Sequence, residues 1–182
     1  MPPTRLYDVD EIRGQAREST RTGAVTKDYS LDLNVACSLL NEALATEILC
    51  VLRYRHHQII AKGIDFPQVA AEFAEHAATE ERHMMKIAER IDQLGGDPDF
   101  DPSTAMGRSA TQFGEGTELA DMIRDDLVAE RVVIEIYRKM INWFGAGDPT
   151  TRRLLEGILG DEEEHANDLA SLLHSIHLRS KA

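Results

Sequence analysis

Only two cysteines, Cys37 and Cys50, occur in 182 residues, too few for a disulfide framework or for the thiolate pairs of a structural zinc site. If both lie on one helix, their spacing of 13 residues sets them roughly 20 Å apart, so they cannot pair with each other. Each reads as a small buried hydrophobe, with Cys50 three residues after Glu47. No unbroken apolar run approaches the ~18 residues of a membrane span, and Met1-Pro2-Pro3-Thr4-Arg5 does not open like a secretory leader, which makes the cytoplasm the default compartment. Positive charge is the scarcer sign. Twenty Lys and Arg stand against 32 Asp and Glu, and the net charge of -12 opposes general nucleic-acid binding while attracting cations.

What is present suits one domain of long helices with solvated faces: 29% of residues are charged and few are aromatic. Residues 1–30 show no sustained apolar period and read as an N-terminal arm. Its charges balance, five against five, which argues against a basic DNA-gripping segment. Residues 31–178 read as the bundle. From Ser30, a candidate cap, an apolar stripe runs through Leu33, Cys37, Leu40, Leu44, Glu47, Val51 and Tyr54 to about Ala61, and Gly63 then ends the helix. A second helix fits 66–94, with Val69, Phe73, Ala77, Glu80, His83, Ile87 and Ile91 inward and Gly95-Gly96-Asp97-Pro98 as its stop. Residues 95–116 form a crossover long enough to carry the chain back along the bundle and to contain a short helix. The third helix spans about 117–144, with Ile123, Leu127, Glu130, Ile134, Tyr137 and Ile141 inward. The fourth spans about 149–178, burying Leu155, Ile158, Glu162, His165, Leu169, Leu172 and Ile176. The expected fold is all-α: an antiparallel four-helix bundle with a long crossover between its second and third helices.

Each of the four stripes places a glutamate where the helical period predicts burial. Unpaired anions in an apolar core cost several kcal/mol each, so such a cluster generally exists to hold cations. Glu80-Glu81-Arg82-His83 and Glu162-Glu163-Glu164-His165 each set a glutamate and a histidine on one helix face. With 17 glutamates and 7 histidines, roughly 0.7 such pairs arise by chance, so neither carries weight alone. The larger pattern is more specific: Glu47 precedes Glu80 by 33 residues, Glu130 precedes Glu162 by 32, and Tyr54 and Tyr137 each follow their helix's glutamate by seven. Two similar helix pairs are related by an approximate internal twofold. One Glu from each of two helices and one Glu-x-x-His from each of the others form a two-metal carboxylate site, whose donors suit iron or manganese.

These residues resemble the bacterioferritin branch of the ferritin-like superfamily over roughly 31–178. The matching stretches are Asn41 to Glu47 through Tyr54, Glu80 to His83, Asp126 to Glu130, and Asp161 to His165. The resemblance implies two irons per subunit, with Glu47 and Glu130 as terminal ligands, Glu80 and Glu162 bridging, His83 and His165 on one metal each, and Tyr54 beside the site. Bacterioferritins bind haem through a methionine just after the first bridging glutamate. Glu81 stands there instead, so haem is not expected at that place, and Met84 or Met85 would need another geometry. The chain stops 17 residues after His165, short of the fifth helix of 24-subunit shells. It looks in this respect like Dps-type cages of 12 subunits.

The remaining histidines read more blandly. His56, His57, His174 and His177 are expected at the surface or an interface, and His76, one turn before Glu80, beside the metals or on their access route. The activity implied is a ferroxidase that uses O2 or H2O2 and stores ferric mineral in a homo-oligomeric cage. The competing readings are a di-metal oxygenase, peroxidase or catalase without storage, and a DNA-condensing or purely structural cage. A rubrerythrin-like electron carrier is disfavoured by the absence of Cys-x-x-Cys.

Overall fold

The computed structural model describes residues 6–20, 22–61, 66–114 and 116–179. Six helices follow one another: α1 (Val9–Glu18), α2 (Leu33–Ile60), α3 (Phe66–Gln93), α4 (Pro102–Arg108), α5 (Leu119–Phe144) and α6 (Pro149–Arg179). No strand occurs among the described residues. The four long helices form the expected bundle. Helix α2 packs chiefly on α3 and α5 chiefly on α6, and the two hairpins meet along α2–α5 and α3–α6.

Helix ends follow local chemistry. Asp32, rather than the expected Ser30, caps α2 by accepting from the Asn34 and Val35 amides. Carboxylate caps also start α1 at Asp8 and α4 at Asp101. Gly95 ends α3 at φ 82, a left-handed conformation that glycine adopts without steric cost. Gly63, expected to end α2, lies outside the described residues.

The arm differs from the sequence expectation. Asp8 opens a ten-residue helix that runs through Gly14, although none of its residues is buried. Further on, Val25, Tyr29 and Leu31 pack against the bundle's core, and the Tyr29 hydroxyl donates to Asp148 Oδ2 at 3.1 Å. Asp148 also receives Arg90 Nη2 and the Thr151 hydroxyl and amide, which ties the arm, α3 and the start of α6 together.

The core is divided. One apolar cluster, including Leu40, Leu44, Ile87, Ile91, Phe144 and Leu155, fills one end of the bundle. A second, including Val69, Phe73, Met122, Ile123 and Leu169, fills the other. Each buried aliphatic or aromatic side chain contributes about 1.5–3 kcal/mol relative to exposure. The glutamates and histidines of the four stripes lie in the bundle along with these clusters.

The crossover is pinned along α2. Asn41 bonds Asp97 and Asp99, Arg108 donates to the Asn41 carbonyl, and the Ala110 amide donates to Thr46. By length and composition α2 could span a membrane, contrary to the expectation of no such segment, because an eighteen-residue window tolerates its two glutamates. Half of that window is buried inside the bundle, as a core helix requires.

Candidate metal centre

The periodicity that builds α2, α3, α5 and α6 also aims Glu47, Glu80, Glu130 and Glu162 at one another. All four are at most 1% exposed, and His83 and His165 are buried beside them. His83 Nδ1 lies 3.1 Å from Glu162 Oε1 and 3.4 Å from Glu80 Oε2. On the other side His165 Nδ1 lies 3.1 Å from Glu80 Oε1 and 3.4 Å from Glu162 Oε2. The repeated pair of distances is the internal twofold in atomic form. Two donor groups result, Glu47-Glu80-His83-Glu162 and Glu80-Glu130-Glu162-His165, each with its ligand atoms within 4.8 Å of one another, and Glu80 and Glu162 belong to both.

The tyrosines complete the symmetry. The Tyr54 hydroxyl donates a short hydrogen bond to Glu130 Oε1, and the Tyr137 hydroxyl donates one to Glu47 Oε1. Each outer glutamate thus has one oxygen engaged by a tyrosine from the other helix pair. Its second oxygen, Oε2, is buried without a hydrogen-bond partner, as are both oxygens of Glu80, Glu162 Oε2 and His165 Nδ1. Buried polar atoms are rarely left so. An orphaned set of carboxylate oxygens and imidazole nitrogens fits a pair of divalent cations.

The electrostatics of the cluster point the same way. Burial, and next the charges of Glu80 and Glu162, push the Glu47 carboxyl well above the ordinary range. Burial and the same two neighbours do so for Glu130, Glu162 foremost of the two. Burial also works against charge on Glu80, but the close approach of His165, His83 and Glu47 outweighs it and holds Glu80 below its usual range. Burial disfavours the imidazolium of His165, yet Glu162 and Glu80 raise it to about 9. His83 is raised by Glu162, Glu47 and Glu80 in the same sense. Protons on the histidines occupy the electrostatic place of cations.

Partners the sequence did not reveal surround this centre. His83 Nε2 donates to Asp161 Oδ2 at 2.9 Å, which orients the ring so that Nδ1 faces the carboxylates. His57, expected at the surface, is 1% exposed and bonds Asp126 Oδ2 at 2.8 Å. Asp126 also accepts from buried Arg53 Nε at 2.7 Å, and Arg53 Nη1 donates to the Gln112 carbonyl. The correction has a simple cause: the partner of His57 lies 69 residues away, beyond any helical spacing. His56 and His174 are exposed as expected, whereas the side chain of His177 is outside the described set. His76 is buried, stacks on His165 with ring centroids 4.0 Å apart, and is lowered to about 3 by burial and the charge of His165. Glu81 is exposed near Arg55, at 3.8 Å, while Met84 packs partly against the core and Met85 is exposed. Cys37 and Cys50 are both free, and Cys50 is buried beside Arg53.

Residues 37–178 match the family profile described as Ferritin-like domain. A nutrient stress-induced DNA-binding protein of Synechococcus sp. is 29% identical over 85% of this chain and 95% of its own. The bacterioferritin of Desulfovibrio desulfuricans is 30% identical over 70% of this chain and 68% of its own. Among solved structures, a dodecameric thioferritin, the bacterioferritin-related protein of Bacteroides fragilis, superposes with a TM-score of 0.80 at 30% identity over 83% of this chain and 91% of that one. Fold, donor set and relatives agree, and the chain belongs to the ferritin-like domain family, on its bacterioferritin- and Dps-like side.

Proposed function

We propose that this protein is a ferroxidase that oxidises ferrous iron at the four-glutamate, two-histidine centre and stores the ferric product in a homo-oligomeric cage. The observation that carries this reading is the symmetric set of buried, unpartnered carboxylate oxygens shared between two donor groups.

Ferrous ions are the substrate. Glu80 and Glu162 bridge the two ions, Glu47 and Glu130 each hold one from the outside, and His83 and His165 bind one each through Nδ1. Tyr54 and Tyr137 keep one oxygen of each outer glutamate occupied, which leaves Oε2 for metal. Asp161 accepts the Nε2 proton of His83 and fixes the nitrogen that faces the ion. Binding requires neutral imidazoles and ionised carboxylates, so the protons now held by the histidines are released as iron enters. Each ion supplies one electron to a two-electron oxidant, dioxygen or hydrogen peroxide. The net charge of -12 would draw cations toward the assembled protein.

The assembly proposed is a 12-subunit cage, supported by the likeness to a dodecameric thioferritin. The arm's balanced charge speaks against direct DNA binding, although two relatives are named for it. Aerobic ferrous titration followed by iron counting tests the function. Storage requires tens to hundreds of irons per assembly, whereas a di-metal oxidase without storage saturates at about two per chain.

A further inference from the structure

The internal twofold that relates the ligands breaks one helical turn behind them. The step along the chain that carries Glu47 onto Glu130 also carries Tyr54 onto Tyr137, yet it carries Arg53 onto Ile136, His57 onto Met140 and Ala43 onto Asp126. Behind the Tyr54–Glu130 bond, Asp126 has both oxygens engaged: Oδ1 accepts from Arg53 Nε at 2.7 Å, and Oδ2 meets His57 Nδ1 at 2.8 Å. Arg53 extends the hold to the crossover through the Gln112 carbonyl, 2.9 Å from Nη1, and its guanidinium carbon lies 5.8 Å from the centre of the Tyr54 ring. Behind the Tyr137–Glu47 bond, Ala43 and Met140 are buried in the apolar cluster that includes Tyr137, and Ile136 packs against it. Charge is costly to bury, and apolar side chains in its place often serve stability as well. The Glu47 end shows that an apolar set can hold a tyrosine and glutamate together in this bundle. What the ionic set adds is direction, because charge-assisted hydrogen bonds fix geometry, whereas apolar contacts are non-directional and methionine is adaptable.

We propose that Asp126, clamped by Arg53 and His57, is a positioning residue that keeps Glu130 in one place, and that Glu47 is the outer ligand that moves as metal binds and leaves. The clamp acts from both helices: Arg53 and His57 flank Tyr54 on α2, and Asp126 stands one turn before Glu130 on α5. Discharge of ferric product to a store requires a ligand that lets go, and the end without the clamp provides it. That role in discharge rests on the ferroxidase reading; the difference in hold between the two ends does not.

Crystals of the protein, metal-free and soaked anaerobically in manganous chloride, test the hold directly. In the wild type the Glu130 carboxylate should keep its metal-free position when the ions bind, and the Glu47 carboxylate should turn. Arg53→Ile, His57→Met and Asp126→Ala together copy the residues of the other end. This triple variant should melt no lower than the wild type, yet its Glu130 should turn as Glu47 does. Calorimetric titration should show manganous affinity lowered about tenfold at one of the two positions. His57→Met alone frees one oxygen of Asp126 while Arg53 keeps its partner, and it should give a smaller loss in the same direction. Equal movement of Glu47 and Glu130 in the wild type overturns the proposal. So do variants in which Glu130 stays fixed and both affinities are unchanged, since the clamp is then a structural link only. Ions bound with the expected difference in movement, but without oxidation of ferrous iron in solution, leave the positioning role standing and overturn the ferroxidase reading instead. A centre that takes up no manganous ion overturns both.

Discussion

Four carboxylates buried without lysine or arginine among them have to be compensated from inside the cluster, and the histidines are what remains. Glu80→Ala or Glu162→Ala removes a group common to both donor sets together with little packing. Fast ferrous oxidation should be abolished in each variant while far-ultraviolet circular dichroism stays that of a folded helix bundle; wild-type rates in both would refute the site. The proton economy makes a second prediction. Burial works against a charged His165, but Glu162 and Glu80 raise it from 6.5 to about 9 in the folded chain. A folded-state value above the unfolded one means stabilisation that is full below about pH 6.5 and is lost as pH rises through about 9. The melting temperature of the metal-free protein should therefore fall across that window, and a level profile would contradict the arrangement. The six candidate ligands were legible because each sits on its own helix's apolar stripe. Asp126, Arg53 and Asp161 were not, because their partners lie on other helices and no local period connects them.

At the scale of elements, helix lengths and burial came through because Val69, Phe73, Ala77, Ile87 and Ile91 repeat at helical spacing and all are buried. Ends were read less well. Asp32 outcompetes Ser30 as a cap by bonding two amides, and α1 was hidden by Gly14 and by its lack of a buried face. The turn after α3 is legible in another way, through Gly95 and Gly96. A Cβ on Gly96 would stand 2.6 Å from Cys37 Sγ and 2.9 Å from Ile91 Cγ2, inside the joint where the end of α3 packs on α2. Gly96→Ala should destabilise the chain by about 1–3 kcal/mol, read as a lower urea midpoint at unchanged slope. An unaltered midpoint would mean that this joint yields freely.

For the whole molecule, the proposed cage makes a claim about mass. Sedimentation velocity at micromolar concentration should find an assembly of about 12 chains, and a species no larger than a dimer would remove the storage compartment from the argument. Within one chain the symmetry runs deeper than the ligands. Each hairpin carries one buried glutamate on its first helix, a tyrosine seven residues on and a Glu-x-x-His on its second, and each tyrosine reaches across to the other hairpin's glutamate. Such a chain has the form of one helix hairpin used twice. Two identical half-length polypeptides, paired about a true dyad, would set out the same six ligands and the same crossed phenols. The crossover of residues 95–116 is then the link between two like halves, held along α2 by its bonds to Asn41, Thr46 and Arg53.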